Sequence, residues 1–103
     1  MALIYADFMK CDDRNRLVLT TNGTNRDLAK HGIALREGLR LVFYNEDEDD
    51  SGKRDNLVVE GKIQYDEDHK RWVAEIDWDA IKNISRLTDD ERAQLGLLAH
   101  EVL

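Results

Sequence analysis

Residues 57–79, LVVEGKIQYDEDHKRWVAEIDWD, decide the fold of this protein. Residues 57–65 and residues 71–79 each alternate apolar and polar side chains with a period of two, which is typical of strands with one buried face. The polar run between them predicts a turn centred on residues 67–70. The pairing register is restricted to one parity, because a one-residue slip would turn one apolar face outward. The register that keeps the two apolar faces together pairs Tyr65 with Trp72, Asp66 with Arg71, and Lys62 with Glu75.

The N-terminal region predicts two more strands. Residues 1–10 place apolar side chains on both faces of an extended chain, and residues 17–20 form a second apolar run. Residues 12–15 lie between them and are rich in Asp, Asn and Arg, which is typical of a turn. We therefore expect the first two strands to form a hairpin.

A short helix and a third strand follow. Thr24 is a suitable N-cap residue, and Gly32 is a suitable residue for ending a helix. Residues 39–44 then alternate as a strand. Near the C-terminus, Thr88 and Glu91 have the spacing of a capping box, and leucines at helical spacing predict a helix over residues 88–103.

These elements predict a mainly β protein of about five antiparallel strands with a C-terminal helix. We expect a small SH3-like or OB-like curved sheet or barrel, with the short helix between the second and third strands. A chain of 103 residues suits a single domain. We expect one domain over residues 1–103, with a β-rich body at 1–86 and the helix at 88–103.

Composition indicates a densely charged surface around a modest core. Apolar residues make up 42% of the chain and charged residues 36%. The sequence contains no apolar run long enough to span a bilayer, so we expect no membrane partner. The single cysteine, Cys11, cannot form an internal disulfide, and the first residues lack the pattern of a signal peptide. We therefore expect a cytoplasmic protein.

The net charge of −7 argues against nucleic acid as a ligand, because cations are needed to neutralise each phosphate. The charge is unevenly distributed. Residues 1–44 carry seven basic and five acidic side chains, whereas residues 45–103 carry eight basic and seventeen acidic side chains. This asymmetry predicts a basic protein partner or the oppositely charged end of a second copy.

The acidic loop, residues 45–56, offers a calcium hypothesis. Its carboxylates alternate as in a calcium-binding loop, and a glycine allows the tight turn that such loops need. Val58 occupies the position where a bidentate Glu belongs, so the match is incomplete. The alternative is a solvated acidic connection that carries no metal. The candidate calcium ligands are Asp47, Asp49, Ser51, the carbonyl of Lys53, and Asp55.

The outer face of the central hairpin is the leading candidate for an interaction surface. Glu60, Glu75, Asp77 and Asp79 are all predicted to point outward, where they form an acidic face. Trp78 and Trp72 share the apolar face of their strand, and we expect Trp78 to be the one that reaches the surface. These side chains would contact a basic partner.

The terminal helix offers a second surface. Leu97 and Leu103 broaden its apolar side beyond one narrow stripe. The helix would either cover the open end of the sheet or contact a second copy, which would make a homo-oligomer.

Enzyme signatures are absent from the sequence. It contains no glycine-rich phosphate loop, nucleophile elbow or pair of histidines at metal spacing. We therefore expect a non-enzymatic interaction module without a cofactor. The two alternatives are calcium binding by the acidic loop and an active site assembled from distant residues.

Overall fold

The computed structural model describes residues 2–97 of the chain. Two single-turn 3₁₀ helices, Trp78–Ala80 and Ile84–Arg86, flank the last strand. The other elements, in chain order, are β1 (Leu3–Tyr5), β2 (Leu17–Val18), α1 (Asn22–Lys30), β3 (Arg40–Asn45), β4 (Leu57–Asp66), β5 (Arg71–Ile76), β6 (Lys82–Asn83) and α2 (Asp89–Gln94).

All strands belong to one mixed sheet in the order β1-β3-β4-β5-β2, and β6 pairs with β4. The long strand β4 organises this sheet. Its residues 57–62 pair with β3, and its other edge pairs first with β6 and then with β5. The molecule is therefore mostly β-structure with a short C-terminal helix, as the sequence predicts.

The central hairpin has the predicted register. Tyr65 lies opposite Trp72, Lys62 opposite Glu75 and Asp66 opposite Arg71. The Tyr65 and Trp72 rings pack edge to face with centroids 4.9 Å apart. Strand β5, however, ends at Ile76 instead of continuing to residue 79, because the Asp77 carboxylate accepts the Asp79 N–H and starts a 3₁₀ turn.

The predicted N-terminal hairpin forms only locally, where Cys11 bridges Leu17 across the predicted turn, and β1 and β2 do not pair. β1 runs parallel to β3, with Ile4 opposite Phe43, and β2 runs antiparallel to β5, with Val18 opposite Val73. The first two strands therefore lie at opposite ends of the strand order. Both are apolar and pair with a longer strand, which buries Ile4 of β1 and both residues of β2.

The expectation of an antiparallel SH3-like or OB-like barrel is also corrected. One pair, β1 with β3, is parallel, and the sheet is not closed into a barrel. Across the described part of the chain, the end strands β1 and β2 form no ladder with each other. Closure would need these two strands to meet, but they have only three and two residues.

The main core lies on one face of the sheet, where Phe43 and Ile63 are fully buried. Gly61 allows close packing there, because a Cβ at this position would lie 2.9 Å from the Phe43 ring. The opposite face also buries apolar side chains, including Val42, Val58 and Val73. The core cluster contains Ile4, Ala6, Phe8, Leu17, Leu19, Leu28, Leu41, Phe43, Val59, Ile63 and Ala74.

Helix α1 is fixed to strand β1 by buried polar side chains. Thr21, one turn earlier than predicted, is its N-cap and accepts the Thr24 N–H. Thr24 is instead buried, and its hydroxyl donates to the Tyr5 carbonyl over 2.6 Å. Asp27 accepts the Tyr5 N–H over 2.8 Å. These bonds satisfy backbone groups of Tyr5 that would otherwise be buried without partners.

Helix α2 begins at the predicted capping box, in which Thr88 and Glu91 bond reciprocally. It ends at Gln94 instead of running to the C-terminus. Gly96 has φ 72°, and the N–H groups of Leu97 and Gly96 donate to the carbonyls of Arg92 and Ala93. This Schellman pattern uses the glycine to end the helix. Residues 98–103 of the predicted helix lie outside the described residues.

Candidate interaction groove

A groove of about 570 Å³ lies between the outer face of the sheet and α2. We call it the acidic groove because its lining has four carboxylates and two basic side chains. The carboxylates are Glu60, Glu75, Asp77 and Glu91, the basic side chains are Arg40 and Lys62, and the remaining lining residues are Val58, Val59, Gly61, Ile76, Ala80, Leu87, Gln94 and Leu95.

Strand register brings the sheet carboxylates together. Glu60 on β4 and Glu75 on β5 lie on neighbouring strands, and Asp77 follows the end of β5. The Arg40 guanidinium donates to Glu60 over 3.2 Å, and the Gln64 amide donates to Glu75 over 3.4 Å. The sheet side of the groove is therefore a network of exposed polar groups with an excess of negative charge.

The opposite wall is held in place by Glu91 of α2. Its carboxylate receives the Lys82 Nζ at 2.6 Å and the Thr88 N–H at 3.0 Å. The hydrogen bond from Lys82, and then those from Thr88, hold the pKa of Glu91 below its ordinary value. Because it is ionised at neutral pH, Glu91 adds negative charge to the groove and ties α2 to β6.

Apolar side chains form part of the groove between these charged walls. Val58 is buried, and Ile76, Leu87 and Leu95 also line the groove. An apolar surface beside charged side chains suits a partner with both apolar and basic groups.

The other predicted interaction residues lie elsewhere. Trp78 is 37% exposed, as expected, and its indole N–H donates to the Asn15 carbonyl over 2.7 Å. Asp79 is exposed but does not line the groove. Leu97 is buried, so it cannot offer the exposed contact predicted for a second copy. Leu103 lies outside the described residues.

The predicted carboxylate ligands of the acidic loop accept hydrogen bonds within the chain. Asp47 accepts from the Asn83 amide over 2.8 Å, and Asp49 accepts from Ser51 and from the Lys53 N–H. Asp55 lies farther along the loop. These hydrogen bonds hold the pKa values of Asp47 and Asp49 below their ordinary value, so both carboxylates are ionised at neutral pH.

Asp55 anchors the end of the loop. Its two carboxylate oxygens accept the Ser85 N–H over 3.0 Å and the Ser85 hydroxyl over 2.6 Å. Within residues 2–97, no three His, Cys, Asp or Glu side chains are grouped so that they could hold a metal ion. Asp47, Asp49 and Asp55 nevertheless line one small cavity of about 140 Å³ with Glu48 and Asp50, so calcium binding by the acidic loop stays a prediction.

Cys11 is not an activated nucleophile. Burial, together with the negative charges of Asp12 and Asp7, raises the pKa of its thiol. The thiol donates weakly to the Phe8 carbonyl over 3.4 Å. A reactive cysteine needs a lowered pKa, so these surroundings have the opposite effect.

Sequence reasoning missed part of the groove. It placed Glu60, Glu75 and Asp77 on one face but interpreted Glu91 only as a capping residue, and it did not consider Arg40. The tertiary position of α2 places Glu91 in one groove with Arg40 and the sheet carboxylates, and no local pattern encodes that arrangement. The pairing of Lys62 with Glu75 was available from the strand register.

No protein-family model, curated protein or solved structure matches this chain. Among residues 2–97, no helix has the length and apolar character required to cross a membrane.

Proposed function

We propose that this protein is a non-enzymatic interaction module that binds a basic protein segment in the acidic groove. The observation that supports this proposal is the convergence of Glu60, Glu75, Asp77 and Glu91 around an apolar strip. The partner would place Lys or Arg side chains against the carboxylates and an apolar side chain against Leu87 and Leu95.

The two kinds of contact have different roles. Exposed ion pairs contribute little net free energy, but complementary charge speeds association and selects the sign of the partner. Burial of apolar surface supplies most of the affinity. A segment that carries both basic and apolar residues is therefore favoured over a purely basic one.

The test measures binding of a labelled peptide that alternates Lys and Leu. The variant E60Q/E75Q/D77N removes three carboxylates from the groove. The control D13N/E67Q/D68N removes the same charge from exposed turns outside the groove. We expect the groove variant to weaken binding about tenfold, and the control to weaken it much less.

Salt gives an independent readout. Binding to the wild-type protein should weaken between low and high salt, and this dependence should be smaller for the groove variant. Affinity that is unchanged in strong salt, or equal losses in the two variants, would contradict the proposal.

A further inference from the structure

A basic pocket lies beside residues 53–55, the last part of the acidic loop. Its volume is about 390 Å³, within the usual range for small-ligand sites. Its lining has four cationic side chains and two carboxylates, although the chain as a whole is acidic. The cations are Lys53, Arg54, Arg86 and Arg92, and the other lining residues are Asp49, Asp55, Ile84 and Ser85.

The two carboxylates already have hydrogen-bond partners within the chain. Asp55 binds the Ser85 N–H and hydroxyl. Asp49 accepts from Ser51 and from the Lys53 N–H. These bonds direct the negative groups toward neighbouring donors, and four cations against two carboxylates give the lining an excess of positive charge.

Three of the four cations have no carboxylate ion-pair partner in the part of the chain that the structure describes. Within residues 2–97, the side chains of Lys53, Arg54 and Arg86 form no ion pair. Arg92 lines the same pocket and donates from Nη2 to the Ile84 carbonyl over 3.0 Å, which fixes its position. Like charges gathered in one pocket repel, so an anion bound among them would relieve that repulsion.

We propose that this pocket binds a phosphate group. A dianionic phosphate offers three oxygens to several donors, and the planar fork of a guanidinium matches two of them at once. Two guanidinium groups and one ammonium group, from Arg54, Arg86 and Lys53, therefore suit a phosphate monoester better than a single carboxylate. The phosphate is either that of a small free molecule or that of a phosphorylated side chain.

This site is separate from the acidic groove, although both use the segment 84–95. In this segment, the groove is lined by Leu87, Glu91, Gln94 and Leu95, whereas the pocket is lined by Ile84, Ser85, Arg86 and Arg92. Anion binding in this pocket does not depend on a basic partner in the acidic groove, because the two sites bind probes of opposite charge.

The test follows backbone amide signals by NMR while inorganic phosphate is added. Chloride at equal ionic strength is the control. We expect saturable shifts at residues 53–55 and 84–86 with phosphate and none with chloride. A phosphoserine peptide and its unphosphorylated form are the second pair of probes. If the phosphopeptide binds more tightly than inorganic phosphate, the site is assigned to phosphorylated proteins. If the phosphopeptide binds no more tightly, the site is assigned to small free phosphates.

The variant R54Q/R86Q should raise the phosphate Kd about tenfold or more. The control R14Q/R36Q removes the same charge at exposed positions outside the pocket and should leave the Kd unchanged. If the double variant folds poorly, R86Q alone replaces it, because this side chain forms no ion pair with residues 2–97. Non-saturable shifts, or equal weakening in the two arginine variants, would overturn the proposal.

Discussion

The Asp27 carboxylate of helix α1 accepts the backbone N–H of Tyr5 in strand β1, with 2.8 Å between N and Oδ2. Asp27 is buried, so this bond replaces water that the Tyr5 N–H would otherwise bind. It joins a side chain and a backbone group that are 22 residues apart. The short strand β1, which has three residues, is thereby fixed between α1 and β3.

Asp27→Ala should reduce the free energy of unfolding by about 1–3 kcal/mol, because it leaves a buried donor without a partner. Asp27→Asn keeps an oxygen acceptor and should cost less. Urea unfolding of the three proteins measures the difference. Equal stability of the alanine variant and the wild type would show that this bond does not hold β1 in place.

Gly61→Ala should destabilise the protein by about 1–3 kcal/mol, because the core cannot accept the added methyl group without shifts. The new Cβ would lie 2.9 Å from the Phe43 ring and 3.0 Å from the Ile76 side chain. The neighbouring Lys62→Ala is the control, because Lys62 is exposed on the other face. Chemical denaturation of both variants tests this, and a neutral result at Gly61 would mean that the core is looser there.

Acid should weaken the interactions of the Asp66 carboxylate with His69 and Arg16. Burial raises the pKa of this carboxyl, but hydrogen bonds from the His69 side chain and backbone, and the charges of His69 and Arg16, outweigh burial. The pKa of Asp66 therefore lies below its ordinary value of 3.8. Because the folded state holds the proton less tightly than the unfolded state, this stabilisation is complete above the ordinary pKa and is lost as the pH falls through the folded value.

Asp66→Asn removes this titration. The wild type should be more stable than the variant at neutral pH, and the difference should shrink below about pH 4. Urea unfolding across this pH range measures both proteins. Asp68→Asn, in the exposed turn, is the control and should show a smaller pH-dependent difference. A stability difference that is constant with pH would contradict the assignment.

Millimolar calcium should leave the melting temperature unchanged relative to chelator. The carboxylates of Asp47, Asp49 and Asp55 already accept hydrogen bonds within the chain, so they have fewer free lone pairs to offer calcium. A ligand selective for the folded state raises its stability, which makes a thermal melt a direct test. A clear rise with calcium would restore the acidic loop as a metal site.

The sequence by itself determined the central hairpin and the start of α2. Alternation over residues 57–79 restricts the register because a slip exposes a whole apolar face, and the structure pairs Tyr65 with Trp72 accordingly. The capping box at Thr88 and Glu91 is equally local, since both bonds lie within one turn. These features depend on neighbours in the chain, so the pattern of residues is sufficient to predict them.

Only the tertiary structure decided which strands β1 and β2 join. Alternation predicts a strand but does not identify its partner, and here β1 pairs in parallel with β3 instead of with β2. It also directed the acidic loop's carboxylates toward Asn83 and Ser85, and brought Glu91 across from Glu60 and Glu75. Contacts between distant segments depend on packing of the whole chain, which local periodicity does not record.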